Sequence, residues 1–320
     1  MIHYDAFNGD ADGICALHQL RLESPLDSIL VTGVKRDIAL LQRIVPQARS
    51  GDTVTALDVS LDVNRPAVVA LLARGVRVEY FDHHYAGDIP ADSGFRALID
   101  PAPDVCTGIL VDRHLGGRQR IWAVVAAFGD NLPAPALALA ATLGLSPSQL
   151  EMLRALGDNL AYNAYGDTEA DLIVDPATLY RTLRPYADPF AFMRDEPIYA
   201  QIDRSRREDL ARARAVQPHA GLSGAKVYLL PDEAWTRRVR GAFANELAHR
   251  SPDLAHAILT PDDRGGFAVS LRAPLARPTG ADALCRQFAT GGGRRSAAGI
   301  NHLPHDGLPA FLRELERAFP

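Results

Sequence analysis

Short apolar runs alternate with longer amphipathic stretches through the first part of the chain. The apolar runs predict strands at 2–7, 29–33, 54–59, 76–81 and 95–100. The stretches between them have helical periodicity near 14–22, 38–44, 65–74 and 107–115. Strands that alternate with helices are typical of βαβ units, so we expect a mainly parallel sheet. The apolar run 121–128 cannot be assigned to a strand or a helix from its periodicity.

The rest of the chain predicts a helical extension, a linker and a second domain. Residues from about 134 to 202 are rich in Ala and Leu and interrupted by proline, which indicates helices added to the first domain. The segment 203–224 is first highly charged and helix-compatible and then small and polar, and is the best linker candidate. Residues 225–320 show a new alternation, with strands near 225–230, 255–259 and 266–271 and helices near 234–249, 281–288 and 308–319. We therefore predict a two-domain α/β protein with boundaries at 1–202, 203–224 and 225–320.

Acidic residues follow several of the predicted strands. Asn8-Gly9-Asp10-Ala11-Asp12-Gly13 follows the first run, Asp58 follows the run 54–57, and Asp82-His83-His84 closes the run 76–81. Asp130 ends the unassigned run 121–128. Carboxyl ends of parallel strands share one edge of an open α/β sheet, where such folds place their chemistry. Carboxylates together with imidazoles suit Mn²⁺, Fe²⁺ or Zn²⁺, so the pattern predicts one shared metal-bearing pocket.

Each motif has a simpler interpretation when it is taken alone. The spacing of Asn8, Asp10 and Asp12 resembles the start of a calcium loop, but Gln19 stands where a bidentate Glu is needed. An Asp after a strand is often only a helix N-cap, which applies to Asp58 and Asp130. The Asp82-His83-His84 run could be a polar turn. Agreement among several separate elements is what favours a functional site.

A glycine-rich segment marks the second domain. Gly291, Gly292 and Gly293 precede Arg294, and they predict either a flexible loop or a phosphate cradle in which backbone amides approach an anion. Ser270 and Arg272 lie at the end of a predicted strand and could converge on it.

Net charge, the length of the apolar stretches and the spacing of the cysteines indicate which classes of protein the chain could belong to. The net charge of −5 argues against binding to duplex DNA. No apolar stretch is long enough to span a membrane, and the chain enters a strand-like run without a basic leader, so a cytoplasmic protein is expected. Three widely spaced cysteines predict reduced packing residues rather than disulfides. The basic residues are almost all arginine, since Lys35 and Lys226 are the only lysines.

Taken together and in this order, the motifs resemble those of the DHH phosphoesterase superfamily with its DHH-associated C-terminal domain. The resemblance covers nearly the whole chain. It rests on the following segments: Asn8-Gly9-Asp10-Ala11-Asp12-Gly13, Asp58, Asp82-His83-His84, Asp130, and Gly291 through Arg294 with Ala297-Ala298-Gly299.

The resemblance implies a centre with two divalent cations, Mn²⁺ with Mg²⁺ or Co²⁺ as substitutes. Asp10 and Asp58 would bind the first cation, with Asn8 standing where many family members have His or Asp. The second would be bound by Asp12, Asp58, His83 and Asp130. His84 would face the substrate phosphate, and Asp82 would orient the histidines. Gly291, Gly292, Gly293 and Arg294, with Ser270 and Arg272, would hold the distal end of the substrate. A similar Gly157-Asp158-Asn159 leaves Asp158 as a rival to Asp130.

The function that this resemblance implies is metal-dependent hydrolysis of a phosphoester in a short single-stranded oligonucleotide or a small nucleotide, cyclic or bisphosphorylated forms included. An exopolyphosphatase or pyrophosphatase, a RecJ-like exonuclease and a non-catalytic nucleotide or RNA sensor remain as alternatives. A homodimer is possible, and no membrane partner is expected.

Overall fold

The computed structural model describes residues 1–320, which divide into two units, Met1–Arg204 and Ser205–Pro320. The first unit contains one parallel sheet in the order β2-β1-β3-β4-β5. Its strands are β1 (His3–Phe7), β2 (Ile29–Val31), β3 (Thr53–Leu57), β4 (Arg77–Asp82) and β5 (Phe95–Ile99). The two-domain α/β class and the parallel sheet predicted from the sequence are therefore confirmed.

Helices of the first unit follow the strands and then form the C-terminal extension. They are α1 (Ala11–Glu23), α2 (Leu61–Ala73), α3 (Thr107–His114), α4 (Arg120–Gly129), α5 (Pro133–Ala140), α6 (Pro147–Asn163), α7 (Pro176–Leu183) and α8 (Pro189–Asp195). Helix α9 (Pro197–Ala215) begins in the first unit and ends in the second. A core of buried side chains from α1, α3, α4 and α6 lies on one side of the sheet, and α2 packs with the strands in a second core. The sheet is thereby covered on both faces, as a parallel sheet requires.

The unassigned run 121–128 is helix α4. Its residues from Trp122 to Phe128 are all buried, so no polar face exists to reveal a helical period. A helix that is apolar all round cannot be distinguished by pattern from a buried strand. The helix positions Asp130 at its C-terminal end.

One predicted segment differs from the structure. The helix expected at 38–44 is reduced to a 3₁₀ turn, Leu40–Arg43, because the side chain of Asn64 bonds the backbone of Ile38 and Leu41 in place of helical partners. Residues 203–215, which include the helix-compatible start of the predicted linker, form the C-terminal part of helix α9.

The second unit has a mixed sheet in the order β10-β11-β9-β8-β7-β6. Its elements are β6 (Ala220–Gly221), β7 (Ala225–Leu229), α10 (Ala234–Arg250), β8 (Ala255–Pro261), β9 (Gly266–Arg272), α11 (Ala281–Cys285), β10 (Gly291–Gly293), β11 (Ala297–Pro304) and α12 (Leu308–Ala318). Its own apolar core is formed mainly by β7, β8, β9, β11, α11 and α12. The three cysteines are buried and unpaired. No helix of the protein has the length and apolarity that crossing a membrane demands.

Candidate metal centre and substrate-binding residues

The carboxyl ends of β1, β3 and β4 are joined by backbone hydrogen bonds. The Asn8 N–H donates to the carbonyl of Leu57 at 3.2 Å, and the Asp58 N–H donates to that of Phe81 at 3.0 Å. These bonds bring the three acidic motifs to one edge of the sheet, as the strand pattern predicts. Asp58 has a left-handed backbone with φ of 58°, a conformation that Asp and Asn tolerate better than most residues. Such strain is found most often where function fixes the chain.

Asp10 caps helix α1. Its Oδ1 accepts hydrogen bonds from the N–H groups of Asp12 at 3.0 Å and Gly13 at 3.1 Å. A Cβ at position 13 would lie 2.2 Å from the carbonyl oxygen of Asn8, so this loop closes only with glycine there. The N-cap interpretation and the functional interpretation of Asp10 are therefore compatible.

Asp12 is held by the N-terminus of helix α3. Its Oδ2 accepts the N–H of Thr107 at 2.8 Å, and its Oδ1 accepts that of Gly108 at 2.7 Å. A Cβ on Gly108 would approach the Cβ of Ala126 to 2.4 Å and Oδ1 of Asp12 to 3.1 Å. Helix α3 thus reaches Asp12 because position 108 has no side chain. Each Asp12 oxygen retains a lone pair for a further ligand.

His83 presents one nitrogen to the carboxylates. Its Nδ1 donates to the carbonyl of Val105 at 2.9 Å, which leaves Nε2 unprotonated in the neutral ring. Nε2 lies 3.4 Å from Oδ1 of Asp58, 3.8 Å from Oδ2 of Asp130 and 4.0 Å from Oδ2 of Asp12. A carbonyl that fixes the tautomer in this way is typical of metal-binding histidines.

Asp82 is fully buried and orients His84, but it does not orient His83. Its Oδ1 accepts from the backbone N–H and the Nδ1–H of His84, at 3.2 and 2.7 Å, and its Oδ2 accepts the N–H of Leu61 at 3.3 Å. Burial lowers the pKa of His84, but the Asp82 carboxylate outweighs it and raises the pKa overall. Asp82 is thus hydrogen-bonded to His84, whereas His83 is bonded to the Val105 carbonyl.

The clustered carboxylates repel one another. Burial, together with the charges of Asp12 and Asp10, raises the pKa of Asp58 well above its usual range. Burial and the charge of Asp12 likewise raise the pKa of Asp130 to about 6. Carboxylates with such shifts favour either protons or bound cations.

Two groups of side chains have a geometry that fits a divalent cation. One ligand atom from each of Asp12, His83 and Asp130 lies within 4.8 Å of the others, and the same holds for Asp58, His83 and His84. The first group offers two carboxylate oxygens and one imidazole nitrogen, and the second offers one carboxylate oxygen and two imidazole nitrogens. Both are donor sets for Mn²⁺ and related ions. These residues match the second cation site that the family resemblance implies, with His84 as an additional candidate ligand.

At the first implied cation site, Asp10 pairs with the ammonium group of Lys35. Nζ of Lys35 lies 2.5 Å from Oδ2 of Asp10 and 3.7 Å from Oδ1 of Asp130. Asn8 is not aimed at a cation, because its Oδ1 accepts the Asp10 N–H at 3.3 Å and its Nδ2 donates to the Lys35 carbonyl at 3.3 Å. The residues present at Asn8 and Asp10 therefore fit an ammonium group and not a divalent ion.

Lys35 was not among the sequence-predicted site residues. Burial raises the pKa of Asp10, but the Lys35 ammonium and the Gly13 N–H reverse this, and the pKa is lowered overall. The only signal in the sequence was the scarcity of lysine, one of two in the chain. The ring of Tyr165 lies with its centroid 5.8 Å from the same ammonium.

Asp158 stays outside the cluster. It lies on helix α6, and it belongs to neither group of potential metal ligands. The adjacent Gly157 serves packing instead, since a Cβ there would meet the carbonyl oxygen of Val125 at 2.5 Å. The structure brings Asp130 to the cluster and leaves Asp158 with α6.

In the second unit, the predicted substrate-binding residues lie on three neighbouring strands. Ser270 of β9 pairs with Gly299 of β11, which in turn pairs with Gly292 of β10. Gly291, Gly292 and Gly293, for which the sequence left a flexible loop or a phosphate cradle open, form an edge strand. Gly293 has φ of 137°, and a Cβ there would lie 2.5 Å from Cα of Ala298, so the close hairpin requires glycine.

Two arginines border this row of residues. Arg272 donates to Oγ of Ser270 at 3.2 Å and to Oδ1 of Asn245 at 2.7 Å. Arg294 lies in the turn between β10 and β11, where its backbone N–H donates to the Ala297 carbonyl, and the residue is exposed. In the sheet register, Ser270 is separated from Gly292 by one strand, β11, and Arg272 pairs with Ala297.

Solved structures share this fold, although no protein-family model and no curated protein sequence matches the chain. The exonuclease RecJ bound to manganese gives a TM-score of 0.63 at 17% identity, over 99% of this chain and 90% of that one. RecJ from Thermus thermophilus with Mn²⁺ gives 0.61 at 17% identity, over 99% of this chain and 52% of that one. PggH from Vibrio cholerae, a pGpG-specific phosphodiesterase, gives 0.56 at 12% identity, over 99% of each chain.

The chain therefore shares the fold of RecJ and PggH, and this is the two-domain α/β fold that the motif resemblance implied.

Proposed function

We propose that the protein is a divalent-metal-dependent phosphoesterase that hydrolyses short single-stranded oligonucleotides or small nucleotides. The observation that carries this proposal is the convergence of Asp12, Asp58 and Asp130 on Nε2 of His83, with the pKa of two of these carboxyls raised by burial and mutual repulsion. A site that concentrates negative charge in this way is stabilised by a cation.

A divalent cation bound there supplies Lewis acidity to a phosphate oxygen and lowers the pKa of water. The chain contributes the orientation. The Val105 carbonyl keeps His83 Nε2 free of a proton, and the α3 amides fix Asp12 in place. Asp82 accepts from Nδ1 of His84 and raises the pKa of that ring, so the protonated ring has an Nε2–H to donate to a substrate phosphate.

The substrate class is supported by the similar structures and by the second unit. PggH is described as specific for pGpG and aligns over 99% of each chain, which favours a linear dinucleotide. The likeness to RecJ favours a single-strand exonuclease as the second candidate. Ser270, Arg272 and Arg294 offer hydroxyl and guanidinium groups suited to a second anionic group of either substrate.

A panel of substrates tests the proposal. The chain should be loaded with Mn²⁺ and assayed on pGpG, a cyclic dinucleotide, a longer single-stranded oligonucleotide, phosphoadenosine phosphate and polyphosphate. We expect metal-dependent hydrolysis, fastest on the linear dinucleotide, and its loss in Asp12→Asn. Binding of pGpG without turnover would instead indicate a nucleotide sensor. Turnover confined to polyphosphate would show a phosphoanhydride hydrolase.

A further inference from the structure

A fixed ammonium group lies inside the acidic cluster. Lys35 Nζ bonds Oδ2 of Asp10 at 2.5 Å and lies 3.7 Å from Oδ1 of Asp130, with the side chain 32% exposed. Its backbone is held on both sides, because the N–H donates to the Ala164 carbonyl at 3.0 Å and the carbonyl accepts from Asn8 Nδ2 at 3.3 Å. Hydrogen bonds therefore hold the Lys35 backbone in place, and its ammonium group is bound by Asp10.

Both carboxylate oxygens of Asp10 already accept hydrogen bonds. Oδ1 accepts two backbone N–H groups at the start of α1, and Oδ2, the other oxygen, accepts the ammonium. Asn8 directs its amide into the backbone of Asp10 and Lys35. A divalent cation at its usual distance of about 2.0–2.2 Å from Oδ2 would lie against the ammonium, and like charges at such a distance repel strongly.

The residue type fits this position. All but two of the 34 basic residues are arginine, so a lysine here departs from the general usage of the chain. An ammonium is a compact point charge, like a small metal ion, whereas a guanidinium is a planar fork that pairs with both oxygens of a carboxylate. Since Oδ1 of Asp10 already accepts two backbone N–H groups, the single oxygen left suits an ammonium better than a guanidinium.

We propose that the Lys35 ammonium takes the place of one of the two cations, so that this centre binds a single divalent ion, at Asp12, Asp58, His83 and Asp130. The inference rests on the proposed metal-dependent function and makes it more specific. Positive charge at Asp10 is then a permanent part of the protein and does not depend on the concentration of free metal.

Metal stoichiometry tests the inference directly. The purified chain is dialysed against excess Mn²⁺, its bound manganese is measured by mass spectrometry, and electron paramagnetic resonance distinguishes isolated Mn²⁺ from a coupled pair. We expect one ion per chain with an uncoupled spectrum. Lys35→Met removes the charge and frees Asp10, so this variant should bind a second ion and show a coupled spectrum.

Controls separate the possible failures. Lys226→Met removes the other lysine, on β7 of the second unit, and should keep one ion per chain. Two coupled ions in the unmodified protein, or a single ion in a folded Lys35→Met, would overturn the role of Lys35 while leaving a metal-dependent phosphoesterase intact. A chain that binds no Mn²⁺ would overturn the proposed function itself. Anomalous scattering from Mn²⁺ in crystals of the unmodified protein gives an independent count if Lys35→Met does not fold.

Discussion

His83 Nε2 lies 3.4 Å from Oδ1 of Asp58, on the side of the ring opposite the bond from Nδ1 to the Val105 carbonyl. The two residues come from the ends of neighbouring strands, β3 and β4, which are linked by the hydrogen bond from Asp58 N–H to the Phe81 carbonyl. Backbone pairing of β3 with β4 therefore sets the distance between the Asp58 carboxylate and the His83 imidazole. A substitution of either side chain should leave this backbone pairing unchanged.

Asp58→Asn should remove metal binding and turnover without unfolding the protein. Asn tolerates the left-handed backbone at this position, and it removes a buried charge that Asp12, Asp10 and Asp130 oppose. Calorimetric titration with Mn²⁺ should show a loss of affinity greater than the roughly 10- to 100-fold that loss of an outer hydrogen bond costs. Thermal denaturation in chelator should show a melting temperature at least equal to that of the unmodified protein. Unchanged Mn²⁺ affinity would exclude Asp58 as a ligand.

Asp130→Asn and Asp158→Asn should differ in metal affinity. Asp130 lies 3.8 Å from His83 Nε2, whereas Asp158 is on α6 outside both groups of ligand atoms. We expect weaker Mn²⁺ binding in Asp130→Asn only, measured by the same titration. If Asp158→Asn loses the metal and Asp130→Asn retains it, the fourth motif has been assigned to the wrong residue.

The metal-free protein should lose stability as the pH rises from about 4 through about 6. The folded pKa of Asp130 is raised to about 6, above the value of about 3.9 for an unfolded Asp. The folded state therefore holds the extra proton, and its contribution to stability is complete below about pH 4 and disappears as the pH rises through 6. Melting temperatures in chelator should fall more steeply between pH 4 and 7 for the unmodified protein than for Asp130→Asn.

The same comparison controls for an opposing group. His18 is buried against Trp122 and its pKa is lowered to about 4, so it destabilises the fold as the pH falls through the same range. That effect is common to both proteins and cancels in the difference. Parallel curves for the two proteins would contradict the shift assigned to Asp130.

Asp82→Asn should impair turnover and retain the metal. Asp82 contacts His84 and the Leu61 N–H and bonds none of the ligand oxygens, so its loss releases the His84 ring. We expect kcat to fall by about 10- to 100-fold, the usual effect of losing such a supporting bond. Manganese content by mass spectrometry should not change. A matching loss of metal would show that Asp82 acts on His83 as well.

Arg294→Ala should raise KM and leave metal content unchanged. The exposed guanidinium follows an edge strand of glycines, and a charge-assisted pair with an anionic substrate group contributes about 1.5–3 kcal/mol, or roughly ten- to a hundredfold. The increase should be larger on pGpG than on a minimal chromogenic phosphodiester with no second phosphate. An equal increase in KM on both substrates would place Arg294 at the reacting phosphate. An unchanged KM on both would indicate that the β10–β11 hairpin has only a structural role.

Much of the fold was predictable because strands buried on both faces are continuous apolar runs, and acidic residues mark their carboxyl ends. Asp58 and Asp82 could be found in this way. Lys35 could not, because it lies in a segment without regular structure, and only the folded chain shows that it reaches Asp10. The strand conformation of Gly291 and its neighbours was also hidden, since it depends on pairing with β11.

Gly108 should be sensitive to mutation even though it has no functional side chain. It has no chemistry of its own, yet a methyl group there would press on Ala126 and on the oxygen of Asp12 that its own amide holds. Gly108→Ala would displace the start of helix α3 and release Asp12 from two hydrogen bonds at once. In an activity screen, Gly108 would therefore appear as sensitive to mutation as the metal ligands, although it has no side chain that could bind a metal. Substitutions at this centre are therefore limited by the space available as well as by charge.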